Sequence, residues 1–270
     1  MVSSNKQVFI ILVLVLNMLF YLILSHIEHL FMKHYIVYLS HREQLNGVDY
    51  DWEQPASVED YQNYIQLIKE TSDEFHKAEV NLMVTVAVHT HQILPKLIYN
   101  FLDRIHIMTY DIPYSKQETK FKHHAGHRAT VQSIKDFIAH GAPPEKINLG
   151  IPFYARHQRN PGEVKTFSEI VDSMKSNKKF DVSSDNATIS ENRKQMENIK
   201  AIYDGFVFDS PKRIIKKVDF AKNHGIGGIF FWEIGQDYQG EDFSTGGVLL
   251  QAASRAASVE LASNEKTIEH

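Results

Sequence analysis

From Gly47 onward the chain alternates short β-branched or aromatic runs with amphipathic helical stretches, and that rhythm limits the fold more than any other feature. Gly47–Trp52, Asn81–Val88, Arg104–Tyr110, Lys146–Ile151 and Gly228–Trp232 read as strands. Between them Ser57 opens a helix to about Lys77, with Val58, Tyr61, Tyr64, Ile65 and Ile68 as its apolar stripe. Ile36–Leu45 and Pro95–Phe101 fit short helices, and further helices are expected over Thr130–Ala139, Pro211–Lys222 and Thr245–Ala257. Gly141-Ala142-Pro143-Pro144 and Gly225 supply stops. Repeated strand–helix units with short connections argue for a parallel α/β architecture. The rhythm alone leaves a doubly wound sheet and a barrel both open.

Composition narrows the partners. The net charge is −4 and no long basic run occurs, which argues against nucleic acid. The absence of cysteine excludes a disulfide framework, a thiolate zinc site and a cysteine nucleophile. His157 to Ala201 is polar without a simple period and reads as an insertion; it contains the sequon Asn186-Ala187-Thr188, a glycan acceptor if this region enters the secretory route. Val8 to Leu24 is apolar except for Asn17, close to the lower length limit of a membrane span, with Lys6 before it and no small-x-small cleavage site after it. The expectation is an uncleaved type II signal anchor within residues 1–33, with the remainder exported, membrane-anchored or secreted. A buried core helix or a strand pair is the alternative.

Glu53 closes a row of acids. In a strand, residues i, i+2 and i+4 share a face, so Asp49, Asp51 and Glu53 point one way and Val48, Tyr50 and Trp52 the other. Alone, such a row reads as a solvent-facing stripe. In a parallel barrel the face opposite the helices points inward, and sites form at the C-terminal ends of strands, where Glu53 stands. Three carboxylates this close cannot all ionise cheaply, so at least one pKa is expected to rise. A carboxylic acid kept protonated near neutral pH is what a glycosidase needs to protonate a leaving oxygen.

The string NGVDYDWEQP resembles the signature of glycoside hydrolase family 18, usually written DGxDxDWExP, with Asn46 in place of the first aspartate. Asn46 lies off the acidic face by parity, so this change bears on structure rather than chemistry. Met108-Thr109-Tyr110-Asp111, Gly150 to Arg156 (GIPFYAR) and Gly227 to Asp237 (GGIFFWEIGQD) resemble the family's sixth, seventh and eighth strands. The resemblance runs from about Ile36 to Ala257. It implies an α/β fold of the (β/α) TIM-barrel, chitinase type, with residues 34–258 as the catalytic domain, an insertion at about 157–205 and a disordered tail over 259–270. Because the signature belongs to the family's fourth strand, the barrel is expected to be incomplete (strands 4–8) behind an N-terminal apolar helix.

The same resemblance implies retaining, substrate-assisted hydrolysis of β-1,4-linked N-acetylglucosamine polymers. The alternatives are a non-catalytic chitin-binding protein and a truncated, inactive paralogue. Glu53 would protonate the glycosidic oxygen and later activate water. Asp51 would orient the acetamido group, Asp49 would share its proton, and Tyr110 would bond the acetamido oxygen. Met108 and Asp111 would contact the same sugar, Trp232 would stack beneath it, and Tyr154 and Arg156 would line the adjoining subsite, although Ala155 replaces the family's usual glycine. His89 and His91, and His123, His124 and His127, follow two different strands at the same end, yet no HExxH spacing occurs and the resemblance calls for no metal or cofactor. The implied partners are chitin or N-acetylglucosamine oligosaccharides, and the membrane through the N-terminal segment.

Overall fold

A computed structural model describes residues 11–15, 38, 42–43, 45–53, 55, 57–77, 82–113, 123–177, 198–239 and 247–258. The chain divides into two compact units, Met1–Ile107 with Asp136–Asn148, and Met108–Lys135 with Leu149–His270. The sequon at Asn186, most of the Ile36–Leu45 segment and the 259–270 tail lie outside the described residues.

In the first unit β1 (Ile11–Val15), β2 (Gly47–Asp51), β3 (Met83–His89) and β4 (Arg104–Met108) lie side by side in that order. β1 and β2 are parallel, with Val13 opposite Asp49, and β2 and β3 are parallel, with Asp49 opposite Thr85. The strand at Ile11–Val15 corrects the expectation of an N-terminal apolar helix. A run of Ile, Leu and Val suits a strand buried on both faces as well as it suits a membrane helix, and periodicity cannot separate the two. Among the described residues no helix is long and apolar enough to cross a membrane, and residues 8–10 and 16–24 of the expected anchor lie outside them. β1 also adds a strand ahead of the carboxylate strand, one more than the set of strands 4–8 expected from the motifs.

Gly47 starts β2 for a steric reason. A Cβ there would stand 2.1 Å from the carbonyl oxygen of Met83, whose N–H donates to Asn46 O at 2.8 Å. Helix α1 (Val58–Lys77) follows β2 and opens as expected: Ser57 Oγ accepts from Asp60 N, and Asp60 Oδ2 accepts from Ser57 N. Its buried face is Tyr64, Leu67, Ile68, Thr71, Ser72 and Phe75. The expected stripe therefore holds at Tyr64 and Ile68 and fails at Val58, which is 77% exposed because the helix meets the core only from its second turn. Tyr50, on the apolar side of β2, is fastened to this helix through Thr71 Oγ1 at 2.7 Å and through Tyr64, whose hydroxyl donates to Tyr50 O at 3.2 Å.

In the second unit β5 (Ile147–Pro152, from Leu149 on) lies beside β10 (Gly228–Trp232). The end of the GIPFYAR motif and short segments from the start and close of the polar stretch after it form an antiparallel sheet, in the order β7 (Val164–Thr166), β6 (Tyr154–His157), β9 (Phe206–Val207) and β8 (Ile202–Tyr203). The β8–β9 hairpin turns on Asp204-Gly205, both at positive φ (46° and 79°), as a tight two-residue turn demands. The second unit also holds α3 (Phe167–Ser176), α4 (Pro211–Asn223) and α5 (Val248–Ser258); α2 (His127–Ala139) begins in it and ends in the first. Thr166 and Glu169 form a reciprocal cap at the start of α3. Asp237 does the same service for α5, its carboxylate accepting from Leu249 N at 3.0 Å and Leu250 N at 2.9 Å.

Candidate active site

Parity on β2 places Asp49, Asp51 and Glu53 on one face, and their surroundings then diverge. Asp49 is buried, and Thr85 Oγ1, its register partner on β3, donates to Asp49 Oδ1. His106 of β4 brings Nε2 to 3.6 Å from the same oxygen. Asn148 Nδ2 lies 3.1 Å from His106 Nδ1, which makes Nδ1 the acceptor and leaves the ring proton on Nε2, toward Asp49. Burial pushes the His106 pKa down, against the pull of Asp49.

Asp51 is half-buried, and its Oδ1 is enclosed without a hydrogen-bond partner among the described residues. Burial, and then the charges of Glu53 and Asp49, push its pKa up to about 6. The sequence led to the expectation of at least one raised carboxyl in this row, and Asp51 is one. Glu53 stands at the open end with its side chain 51% exposed, and its Oε2 lies 3.1 Å from His89 Nε2.

The second unit gathers a different set. Met108, Tyr110, Ala125 and Tyr154 form one buried cluster, with Phe230 against it. Tyr110 meets Tyr154 edge to face at 6.1 Å. Asp111 follows with a positive φ of 52°, a conformation that a non-glycine residue holds only when its neighbours compel it. The compelling contacts are a two-pronged grip by Arg156 through Nε and Nη2, and His124 Nδ1 at 3.1 Å from Asp111 Oδ1. Burial acts to raise the Asp111 pKa, but the bonds from His124 and Arg156 outweigh it and hold the carboxyl below its ordinary range. Tyr154 and Arg156 share a face of β6 by the same i, i+2 rule, so β6 aims both at Asp111. Trp232 ends β10 with half its surface exposed (52%), beside a cis peptide to Glu233.

Sequence reasoning missed the partners of these groups. Thr85 and His106, which brace Asp49, and His124, which braces Asp111, drew no assigned role in the site. Parity could have found Thr85 and His106, because each falls on the face of its strand that β2 turns toward its carboxylates. His123 is committed elsewhere: Ala125 N donates to its Nδ1 at 3.1 Å, its Nε2 donates to Phe208 O at 2.9 Å, and burial lowers its pKa to about 4. Among the described residues no three His, Asp or Glu side chains are placed to hold a metal ion.

A parallel α/β unit with an acid row running to the C-terminal end of one strand carries its carboxylates where barrel enzymes build their sites. The profile of glycosyl hydrolases family 18 matches residues 20–237, and the chain belongs to that family. A class V chitinase of Lotus japonicus is 26% identical over 245 residues, covering 74% of this chain and 59% of the relative. A family 18 chitinase of Cycas revoluta, solved with (GlcNAc)3, superposes with a TM-score of 0.65 at 23% identity, covering 86% of this chain and 74% of that one. A chitinase-like agglutinin of Robinia pseudoacacia gives 0.64 at 23% identity, covering 87% and 74%. These likenesses establish a chitinase-type fold. The chain spans little more than half the length of curated relatives such as this Lotus chitinase (59%) and an endochitinase of Metarhizium robertsii (53%).

Proposed function

We propose that this chain cleaves β-1,4-linked N-acetylglucosamine oligosaccharides with retention, using the substrate's own acetamido group as nucleophile. The observation that carries the reading is Asp51: a half-buried carboxyl with a pKa near 6 and an enclosed Oδ1 that has no partner among the described residues. An enclosed acceptor of this kind is costly unless a donor meets it, and an acetamido N–H is such a donor. In the proposed cycle Glu53, at the open end of the row, gives its proton to the glycosidic oxygen while the acetamido oxygen attacks C1 and the leaving sugar departs. Asp51 accepts the acetamido N–H and offsets the positive charge of the cyclic intermediate. Glu53, now a carboxylate, takes a proton from the water that opens that ring. Asp49, braced by Thr85 and His106, fixes the inner end of the row. On the second unit, Tyr110, Asp111, Tyr154 and Arg156 are proposed to bind sugar through their polar groups, Met108 to pack behind them, and the exposed Trp232 to stack on a pyranose ring.

The test is Glu53→Gln with a fluorogenic chitooligosaccharide. Cleavage is expected to fall by on the order of 10²–10⁴-fold, the usual worth of a general acid, with sugar binding retained. Unchanged turnover in this variant would overturn the mechanism. The same fold serves an agglutinin, which favours a second reading as a sugar-binding protein without turnover. Equal sugar affinity in wild type and variant, with no cleavage by either, would establish it.

A further inference from the structure

Glu53 has a partner that neither the acid row nor the family signature supplies. His89 ends β3, and its Nε2 stands 3.1 Å from Glu53 Oε2. The contact follows from register: Asp49 pairs with Thr85, so counting up both strands brings residue 53 opposite residue 89. The loop after β3 is locked at this point. His89 N donates to Gln92 Oε1 at 2.6 Å, and Gln92 Nε2, on a side chain that is itself buried, donates to Trp52 O at 3.1 Å. Gln92 therefore clamps the backbone of His89 to the residue just before Glu53. The ring of His91 stacks on that of His89 at 5.4 Å with an interplanar angle of 12°, which limits its swing.

Resting on the glycosidase reading above, we propose that His89 is the positioning residue for Glu53 and holds its carboxyl in both protonation states of the cycle. An imidazole is suited to this because Nε2–H can donate to Oε2 throughout, to a carboxylate oxygen when Glu53 is ionised and to the carbonyl oxygen of the acid when the proton sits on Oε1, facing the leaving group. When Glu53 gives its proton to the leaving oxygen, and again when it regains one from water, a single contact at Oε2 persists. The charged and titratable groups around the pair are Asp51 and Asp49 on β2 and His91 beside it; His106 and Arg104 of β4 lie further along, toward Asp49.

Two variants test the proposal in the full chain. His89→Phe removes the hydrogen bond and keeps a ring, and is expected to lower kcat by on the order of tenfold to a hundredfold with little change in KM, since a reacting group displaced by 1 Å costs ~10²-fold. His89→Gln restores a side chain that can donate or accept, and is expected to recover most of kcat at the wild-type optimum while changing the shape of the pH profile. Full kcat in His89→Phe at every pH would overturn the proposal. A readout free of turnover is the ¹⁵N resonance of the His89 ring, assigned by its loss in His89→Gln. It is expected to move in Glu53→Gln and to stay in place in Asp111→Asn. A wild-type chain that cleaves nothing refutes the glycosidase reading, and the resonance then decides the pairing by itself: a signal unmoved by Glu53→Gln sinks it.

Discussion

Asp49, Asp51 and Glu53 are carboxylic acids spaced two residues apart, yet each has different surroundings. Asp49 is met by a hydroxyl and an imidazole N–H, Glu53 reaches solvent, and Asp51 is enclosed between two like charges with one oxygen unpaired. That places the raised pKa on the middle residue. Linkage gives the sign. A carboxyl with a folded pKa near 6 and an ordinary value near 3.8 binds its proton more tightly when folded, so it adds stability below about pH 4 that is lost as the pH rises through about 6. Asp51→Asn should remove this dependence. Denaturant melts at pH 4 and pH 7 should then differ by on the order of 1–2 kcal/mol less in the variant than in wild type. This is below the full value of two pKa units because the side chain is only half-buried. An identical pH dependence in both proteins would show that Asp51 is not the perturbed group. Asp111 goes the other way: it is only partly buried, and the bonds from His124 and Arg156 hold its carboxyl below the ordinary range.

Strand and helix positions were legible because they depend on local signals. The helix start at Ser57, the Gly141–Pro144 stop and the strands at Met83–His89 and Ile147–Pro152 all fall where local signals placed them, within a residue or two. Gly47 is a case where an element depends on one atom that is absent. A side chain there meets backbone at Met83 and not a movable side chain, so β2 and β3 must separate. Gly47→Ala should cost about 3 kcal/mol, at the upper end of overpacking, and lower the denaturant midpoint without changing its slope. Ala substitution at Asp237 tests an element of the second unit. Losing two charge-assisted bonds to the first turn of α5 should cost about 1–2 kcal/mol, and Asp237→Asn should recover part of it. The strands β7, β8 and β9 were not legible, because strands of two or three residues are too short to show a period.

At the scale of the whole molecule, the question is whether the chain binds sugar as a folded protein. A ligand that binds only the native state stabilises it by RT ln(1 + [L]/Kd), about 2.7 kcal/mol at a hundredfold excess over Kd. Chitooligosaccharide at that excess should raise the thermal midpoint of wild type and of Glu53→Gln alike. Trp232→Ala should reduce the rise, having removed an exposed aromatic surface that is half free in the structure. A midpoint indifferent to the sugar in every variant would remove the carbohydrate reading altogether.

The sequence by itself determined the parallel α/β class, the acid row and its common face, and the family, since parity, caps and motifs are properties of neighbouring residues. Only the tertiary structure decided that Ile11–Val15 is a strand beside β2 and not part of a membrane helix. It also decided that Asp51 is the carboxyl with the raised pKa, and that His89, His106 and His124 brace Glu53, Asp49 and Asp111. The reason is physical: each outcome depends on which distant segment supplies the surroundings. An apolar run carries no mark of the strand it will pair with, and a carboxyl's pKa is set by the atoms packed around it.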